Sequence, residues 1–190
     1  MLSALALLAS PALAGGIGLI GRGGYHGDRV YYYAENSIGE AQQQDPIDQM
    51  NMDAGGGFEL VLGDKDYKIN AFLRVYYMAD APVQAPPDAE KYTFNLRTEE
   101  WRNLGVVDAG IQFGVVGDPQ AFQFCILGIL GSAIMTVDQT EFFRANAGVG
   151  FTYTFARRMQ AHAEVVGGIR YRKRVFPSAE MTAGIRYLFD

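Results

Sequence analysis

The stretch Tyr67–Tyr77, "YKINAFLRVYY", decides how this chain reads. Tyr67, Ile69, Ala71, Leu73, Val75 and Tyr77 fall on one parity, with Lys68, Asn70 and Arg74 on the other. A period of two marks a strand with unlike faces, one apolar and one polar.

The same pattern recurs on both sides of it. Gly16–Tyr25 places Ile17, Leu19 and Tyr25 on one face, and Gly57–Gly63 sets Phe58, Leu60 and Leu62 against Glu59. From Leu104 to Val116, Val107, Ala109, Ile111, Phe113 and Val115 oppose Asp108 and Gln112. Ala121–Met135 keeps Phe122, Phe124 and Ile126 in phase, then loses the alternation. "RANAGVGFTYTF" (Arg144–Phe155) and "QAHAEVVGGIRY" (Gln160–Tyr171) restore it, the second with His162, Glu164 and Arg170 on its polar face. The last segment, Met181–Phe189, opposes Glu180, Thr182 and Arg186 and ends in "GIRYLF" before Asp190. These segments predict eight strands. Short turns at Gly63–Asp66, Gly117–Gln120 and Ala156–Met159 alternate with longer connections at His26–Gly56, at Ala79–Asn103, near Asp138 and near Pro177.

Composition separates a membrane barrel from a soluble one. Hydrophobic residues make up 49% and charged residues 19%, below the roughly 25% charge of soluble domains. No stretch reaches the roughly 20 apolar residues of a membrane-spanning helix. A secreted lipocalin-like barrel alternates too, with its apolar face inward. Here the polar parity is crowded with Gly, Thr, Ala and Asn rather than the Lys and Glu of a solvated exterior. The apolar parity ends in rings at Tyr25, Tyr67, Tyr77, Tyr153, Phe155, Tyr171, Tyr187 and Phe189. Both features place the apolar face in lipid. The fold predicted is all-β: an eight-stranded antiparallel up-and-down transmembrane β-barrel over residues 15–190. "MLSALALLASPALA" (1–14) reads as a secretory signal peptide with cleavage after Ala14, although no Lys or Arg precedes its apolar run.

At this point the chain resembles the small eight-stranded outer-membrane β-barrels of Gram-negative bacteria, the OmpA/OmpX-like group. The resemblance is one of pattern along the whole mature chain. The terminal "GIRYLF" is similar to the aromatic-ending last strand that the barrel-assembly machinery recognises, with Asp190 as a departure. It implies a bacterial outer-membrane protein with both termini periplasmic, in contact with outer-membrane lipids and lipopolysaccharide.

Eight strands leave an interior just wide enough for side chains to fill. Arg22, Glu59, Lys68, Arg74, Asp108, Arg144, His162, Glu164, Arg170, Glu180 and Arg186 fall on the inward parity and form a candidate lumen charge network. Such a network makes the barrel a solid peg; the alternative is a narrow ion path through the same charges. "RYRKR" (Arg170–Arg174) is the strongest basic run, and Arg172, Lys173 and Arg174 are candidate lipopolysaccharide contacts, since Arg pairs bidentately with phosphate. Tyr31, Tyr32 and Tyr33 form a candidate partner surface, which "YTFNL" (Tyr92–Leu96) could join as a protruding sheet open to a partner's strand. Trp101 is placed at the outer interface, and Cys125 as a buried or lipid-facing thiol without a disulfide partner.

Catalytic chemistry finds little support. "GIGLIG" (Gly16–Gly21) matches a dinucleotide fingerprint but lacks the strand before it and the helix after it. Some barrels of this size modify lipid A through a His–Ser pair or a His–Asp–Ser set. His26 with Asp28, and Ser132 or Ser178 as nucleophile, is the candidate set, against the plainer reading of His26 as a rim residue. The connection His26–Gly56 carries Asp28, Glu35, Glu40, Asp45, Asp48 and Asp53 against Arg29 alone, without the spacing of a calcium loop. No cofactor and no metal are expected, and the net charge of −5 gives no reason to expect nucleic acid. The sequence therefore predicts a non-enzymatic structural or adhesive anchor, or a subunit of an envelope complex acting through its two long loops. The alternatives are a lipid A-modifying enzyme and a small channel.

Overall fold

The computed structural model describes residues 15–30, 32–35, 38–43, 47–63, 68–81, 92–94, 102–135, 142–172 and 174–189. Eight long strands close into one antiparallel barrel: β1 (Gly15–Val30), β4 (Ile47–Leu62), β5 (Ile69–Asp80), β7 (Arg102–Gly117), β8 (Phe122–Met135), β9 (Phe142–Ala156), β10 (Met159–Arg172) and β11 (Arg174–Leu188). Sequence neighbours pair around the wall, and β1 joins β11 with Gly16 opposite Leu188 and His26 opposite Ser178. The Phe189 N–H donates to the Gly15 carbonyl at 2.7 Å, so pairing continues past the last residue of β11. Short strands β2 (Tyr32–Glu35), β3 (Ala41–Gln43) and β6 (Tyr92–Phe94) form a separate sheet in the order β3–β2–β6.

Alternation sets the two faces. Leu19 is 63% exposed on the outside, whereas Arg186 inside is 1% exposed. Val107, Ile126, Val149, Phe151, Val165 and Ile185 also point outward. Tyr25, Tyr77, Phe143 and Tyr171 ring one end of this apolar band, and Tyr153, Phe155, Tyr187 and Phe189 ring the other. Tyr187 meets Phe189 edge-on at 6.1 Å, and Phe122 stacks on Phe151 at 5.9 Å. This is the reverse of a soluble barrel. Closure leaves no strand edge in hydrocarbon, as a membrane-spanning sheet requires.

Several boundaries differ from the sequence reading. β4 begins at Ile47 rather than Gly57, and β1 runs on to Val30, so the expected loop His26–Gly56 is mostly strand. The alternation continues there, with Asn51 and Asp53 buried and Met50 and Met52 exposed, but it is short and sits among Asp and Gln residues that read as a loop. Pro177 lies within β11 rather than in a loop; the β1 ladder stops at Ser178, one residue short of it, where a missing N–H costs nothing. The lost alternation in β8 arises because Cys125, Leu127 and Ile129 are apolar on the inner face as well. The expected turn at Gly63–Asp66 and the connection near Asp138 lie largely or wholly outside the described residues, as do residues 1–14.

The turn between β7 and β8 depends on Gly117, which has φ +102°. A Cβ there would also collide with the Phe122 carbonyl. Gly117→Ala is expected to cost about 1–3 kcal/mol, read as a lower urea midpoint for the barrel folded into vesicles.

Candidate functional site

The lumen is filled by ion pairs that brace opposite walls. In one group, Arg74 on β5 donates to Glu59 on β4 and to Glu164 on β10, both at 2.6 Å; β5 and β10 face each other across the barrel. Arg186 on β11 donates to the same Glu59 at 2.5 Å and to the amide oxygens of Gln112 and Gln160 at 3.3 Å. His162 Nε2 stands 3.9 Å from Glu59 Oε1. Below this group, toward the chain termini, Asn70, Gln112, Gln123 and Gln160 line a cavity of about 20 Å³, room for about one water.

The second group lies toward the other end. Arg144 on β9 forms a bidentate pair with Asp108 on β7 and reaches Glu180 on β11 at 2.6 Å. Arg22 meets Asp53 at 3.2 Å and Glu180 at 2.8 Å, while Arg170 crosses from β10 to Asp53 on β4. Tyr76 sits between them: its hydroxyl donates to Asp108 at 2.8 Å and accepts from Arg22 at 2.9 Å. The Arg22 and Arg144 guanidiniums lie 5.2 and 5.6 Å from its ring. These groups are almost fully buried, and buried charges persist only when paired and hydrogen-bonded.

Glycine makes the room. A Cβ on Gly131 would overlap the Asp108 carboxylate, and one on Gly184 would lie 2.6 Å from the His162 ring. The inward face therefore pairs long charged side chains with residues that have none, which is why its sequence reads as Gly beside Arg and Glu.

Arg22, Glu59, Arg74, Asp108, Arg144, His162, Glu164, Arg170, Glu180 and Arg186 all lie in the interior. Lys68 does not. It precedes β5 in a bend and is exposed, while its backbone carbonyl accepts from Gly114 at 2.6 Å. The strand starts at Ile69, two residues later than the alternation from Tyr67 suggests, which leaves Lys68 exposed at the barrel end.

His26 is not a rim residue. Because β1 continues to Val30, His26 is buried in the lumen, its Nδ1 3.2 Å from Asp53 Oδ2 and its Nε2 3.7 Å from Asp80 Oδ2. Ser178 stands opposite His26 in the ladder, but its hydroxyl donates to Asn146 at 3.2 Å. Ser132 falls on the outward parity of β8, and the Asp28 carboxylate accepts from the Arg29 backbone at 2.8 Å. The candidate hydrolytic set is thus not assembled: both imidazole nitrogens face carboxylates. The interior also holds Asp80, Tyr76 and Met78, which the alternation alone does not single out, and Asp53, which the sequence reading assigns to a loop. Asp53 has the parity of Glu59 and Asp80 that of Arg74, so extending each strand outward would have found them.

At the end away from the termini, Arg29 grips Asp48 with two bonds of 2.5 and 2.6 Å. Hydrogen bonding from Arg29, helped by the charges of Arg29 and Arg174, holds the Asp48 carboxyl below the usual range. Arg174 is exposed on β11, opposite Arg172 of β10; the side chain of Arg172, and Lys173 entirely, lie outside the described residues. Tyr32 and Tyr33 belong to β2 and pair with Phe94 and Thr93 of β6, joining the two long connections. Tyr31 and Trp101 lie outside the described residues.

No family model matches the chain, and no curated protein does. Among solved structures, the crystal structure of Neisserial surface protein A is similar, with 13% identity and a TM-score of 0.41, covering 90% of this chain and 97% of that one. That likeness is too slight to bear on activity. The barrel rests on this chain's own closed ladder, and its inside-out polarity makes it a transmembrane barrel of the eight-stranded kind the sequence resembles.

Proposed function

We propose that this protein is a non-enzymatic barrel of the bacterial outer membrane, a closed peg that anchors an extracellular sheet for binding. The single observation carrying this reading is the lumen. It is braced between opposite walls by Arg74 and its two carboxylates, an arrangement suited to a rigid support and poorly suited to passing solutes. The short turns and both termini then face the periplasm, as in barrels of this size. On that orientation the extensions of β1 and β4, with the sheet β3–β2–β6, would lie on the extracellular side.

The outer end has the chemistry of a contact surface. Tyrosine, the residue type at Tyr32 and Tyr33 of β2, is enriched at protein interfaces, and short strands offer backbone groups to an added strand. Arg174, exposed at that end, with Arg172 and Lys173 beside it in sequence, would contribute the cationic contacts to lipopolysaccharide phosphates. Biogenesis would run through the barrel-assembly machinery, which would read the terminal strand. A lipid-modifying activity is disfavoured by His26, whose nitrogens face Asp53 and Asp80 rather than a hydroxyl.

The test is excision of residues 31–46 and 82–101, each replaced by a short Gly-Ser turn. The folded barrel should remain heat-modifiable on SDS gels, while its partner in a mild detergent extract, or its adhesion to cells, is lost. Retention of both would remove the display function. In planar bilayers the intact protein should show no steady conductance; an open current altered by Arg144→Ala would favour the channel instead.

A further inference from the structure

The lipid-facing wall is not evenly bulky. On β10 the outward residues Ala163 and Ala161 stand where β9 carries Phe151 and Tyr153 and β8 carries Phe124 and Phe122. On the other side they face Ala183 and Ile185 of β11, and Ala183 in turn faces Gly21 of β1. Both β10 alanines are half-buried, whereas Phe151, Tyr153 and Ile185 stand exposed beside them. The result is an apolar groove of about 360 Å³, with Ala163, Ala183 and Gly21 along its floor and Phe151, Val165 and Met181 at its sides. No protein contact demands the glycine: a Cβ on Gly21 would meet no atom within 4 Å.

Charge gathers at the foot of this groove. Four residues before Ala163, β10 begins at Met159, opposite Tyr187, and the turn ahead of it holds Arg157 and Arg158, both exposed. The Arg158 guanidinium donates to the Tyr187 hydroxyl at 2.9 Å, which sets it below the groove at the edge of the apolar band.

We propose that the groove seats one acyl chain of an anionic glycerophospholipid whose phosphate lies against Arg157 and Arg158. The inference rests on the orientation given above, in which the short turns face the periplasm and the lipid belongs to the inner leaflet. The groove is continuous with a face already in hydrocarbon, so a chain enters it without desolvating any polar group. The run from Ala163 to Met159 spans about 13 Å of strand, close to the roughly 15 Å of hydrocarbon in one leaflet. A chain laid along β10 therefore brings its headgroup to the turn. Arginine pairs bidentately with phosphate, and two adjacent cations favour a headgroup of net negative charge. The recess is too narrow for the wall of a second barrel, since a stable protein contact takes about 800 Å² from each partner.

The experiment is native mass spectrometry of the full barrel, released from detergent after equilibration with equal amounts of phosphatidylglycerol and phosphatidylcholine of the same chain length. The expected result is one phosphatidylglycerol retained per chain, in preference to phosphatidylcholine. Ala163→Phe should lower that retention roughly tenfold by filling the groove. Ala71→Phe, at an exposed outward position of β5 across the barrel, should leave it unchanged. Arg157→Gln with Arg158→Gln should reduce the preference for phosphatidylglycerol about fivefold. Each variant is first shown to be heat-modifiable, and Ala163→Leu replaces Ala163→Phe if the latter fails that check. Equal retention in Ala163→Phe and Ala71→Phe overturns the site, because the lipid is then merely the surrounding bilayer. Barrel dimers that disappear in Ala163→Phe, with no lipid held, would give the groove to a second copy and equally overturn it. Preference for added lipopolysaccharide over phosphatidylglycerol would overturn the assignment together with the orientation. Loss of the display function alone would leave both standing.

Discussion

Arg74→Met should cost about 3–5 kcal/mol, the usual effect of removing one partner from a buried pair. The guanidinium holds two carboxylates on different strands, and its loss leaves the buried Glu164 with only the more distant Arg186, at 3.7 Å. Glu59 is less affected, because Arg186 also holds it with two bonds, at 2.5 and 3.2 Å. The asymmetry makes the expectation specific. Adding Glu164→Gln should recover more than half of the loss, and adding Glu59→Gln much less. Urea unfolding in vesicles, followed by tryptophan fluorescence and gel mobility, measures all three. Equal rescue by either change would show that the bracing across the barrel is not what the pair contributes.

The second large effect concerns the outer face. Val149 lies midway along β9, 44% exposed, opposite Ile126 of β8 and Val165 of β10. Val149→Arg should cost about 2–4 kcal/mol, the range for a cation at the bilayer midplane of a barrel. The same change on a soluble barrel's surface would stay within about 0.5 kcal/mol. Tyr171→Arg, at the ring-bearing end of the band, is the matched control and should cost about 0–1 kcal/mol. A flat response along the wall would contradict a lipid-facing exterior.

The barrel was legible in the sequence because lipid and lumen impose opposite demands on consecutive residues. Where both demands hold, as from Arg144 to Phe155, parity alone names the face of each side chain. The signal failed where one demand lapsed. The upper reach of β4 follows a run of acidic and amide residues, so Asp53 looked like one more loop carboxylate although it faces the lumen. The inner wall of β8 is apolar, so Cys125, Leu127 and Ile129 blurred its rhythm. Which strands carry the charges could be read; which charges meet could not. Pairing depends on shear around a closed wall, and only the register brings Arg170 of β10 to Asp53 of β4.

The position of Arg186 has a consequence for biogenesis. Its principal carboxylate, Glu59, lies 127 residues earlier in the chain, and Glu180 of the same strand serves both Arg22 and Arg144. Until β11 docks, these charges cannot all be neutralised, and an unfinished sheet would carry them exposed toward hydrocarbon. Final strand docking therefore closes the wall and discharges the interior in one event. A truncated or stalled chain would keep an unbalanced charge load, so a membrane would reject incomplete copies on electrostatic grounds alone, before any protease inspects them.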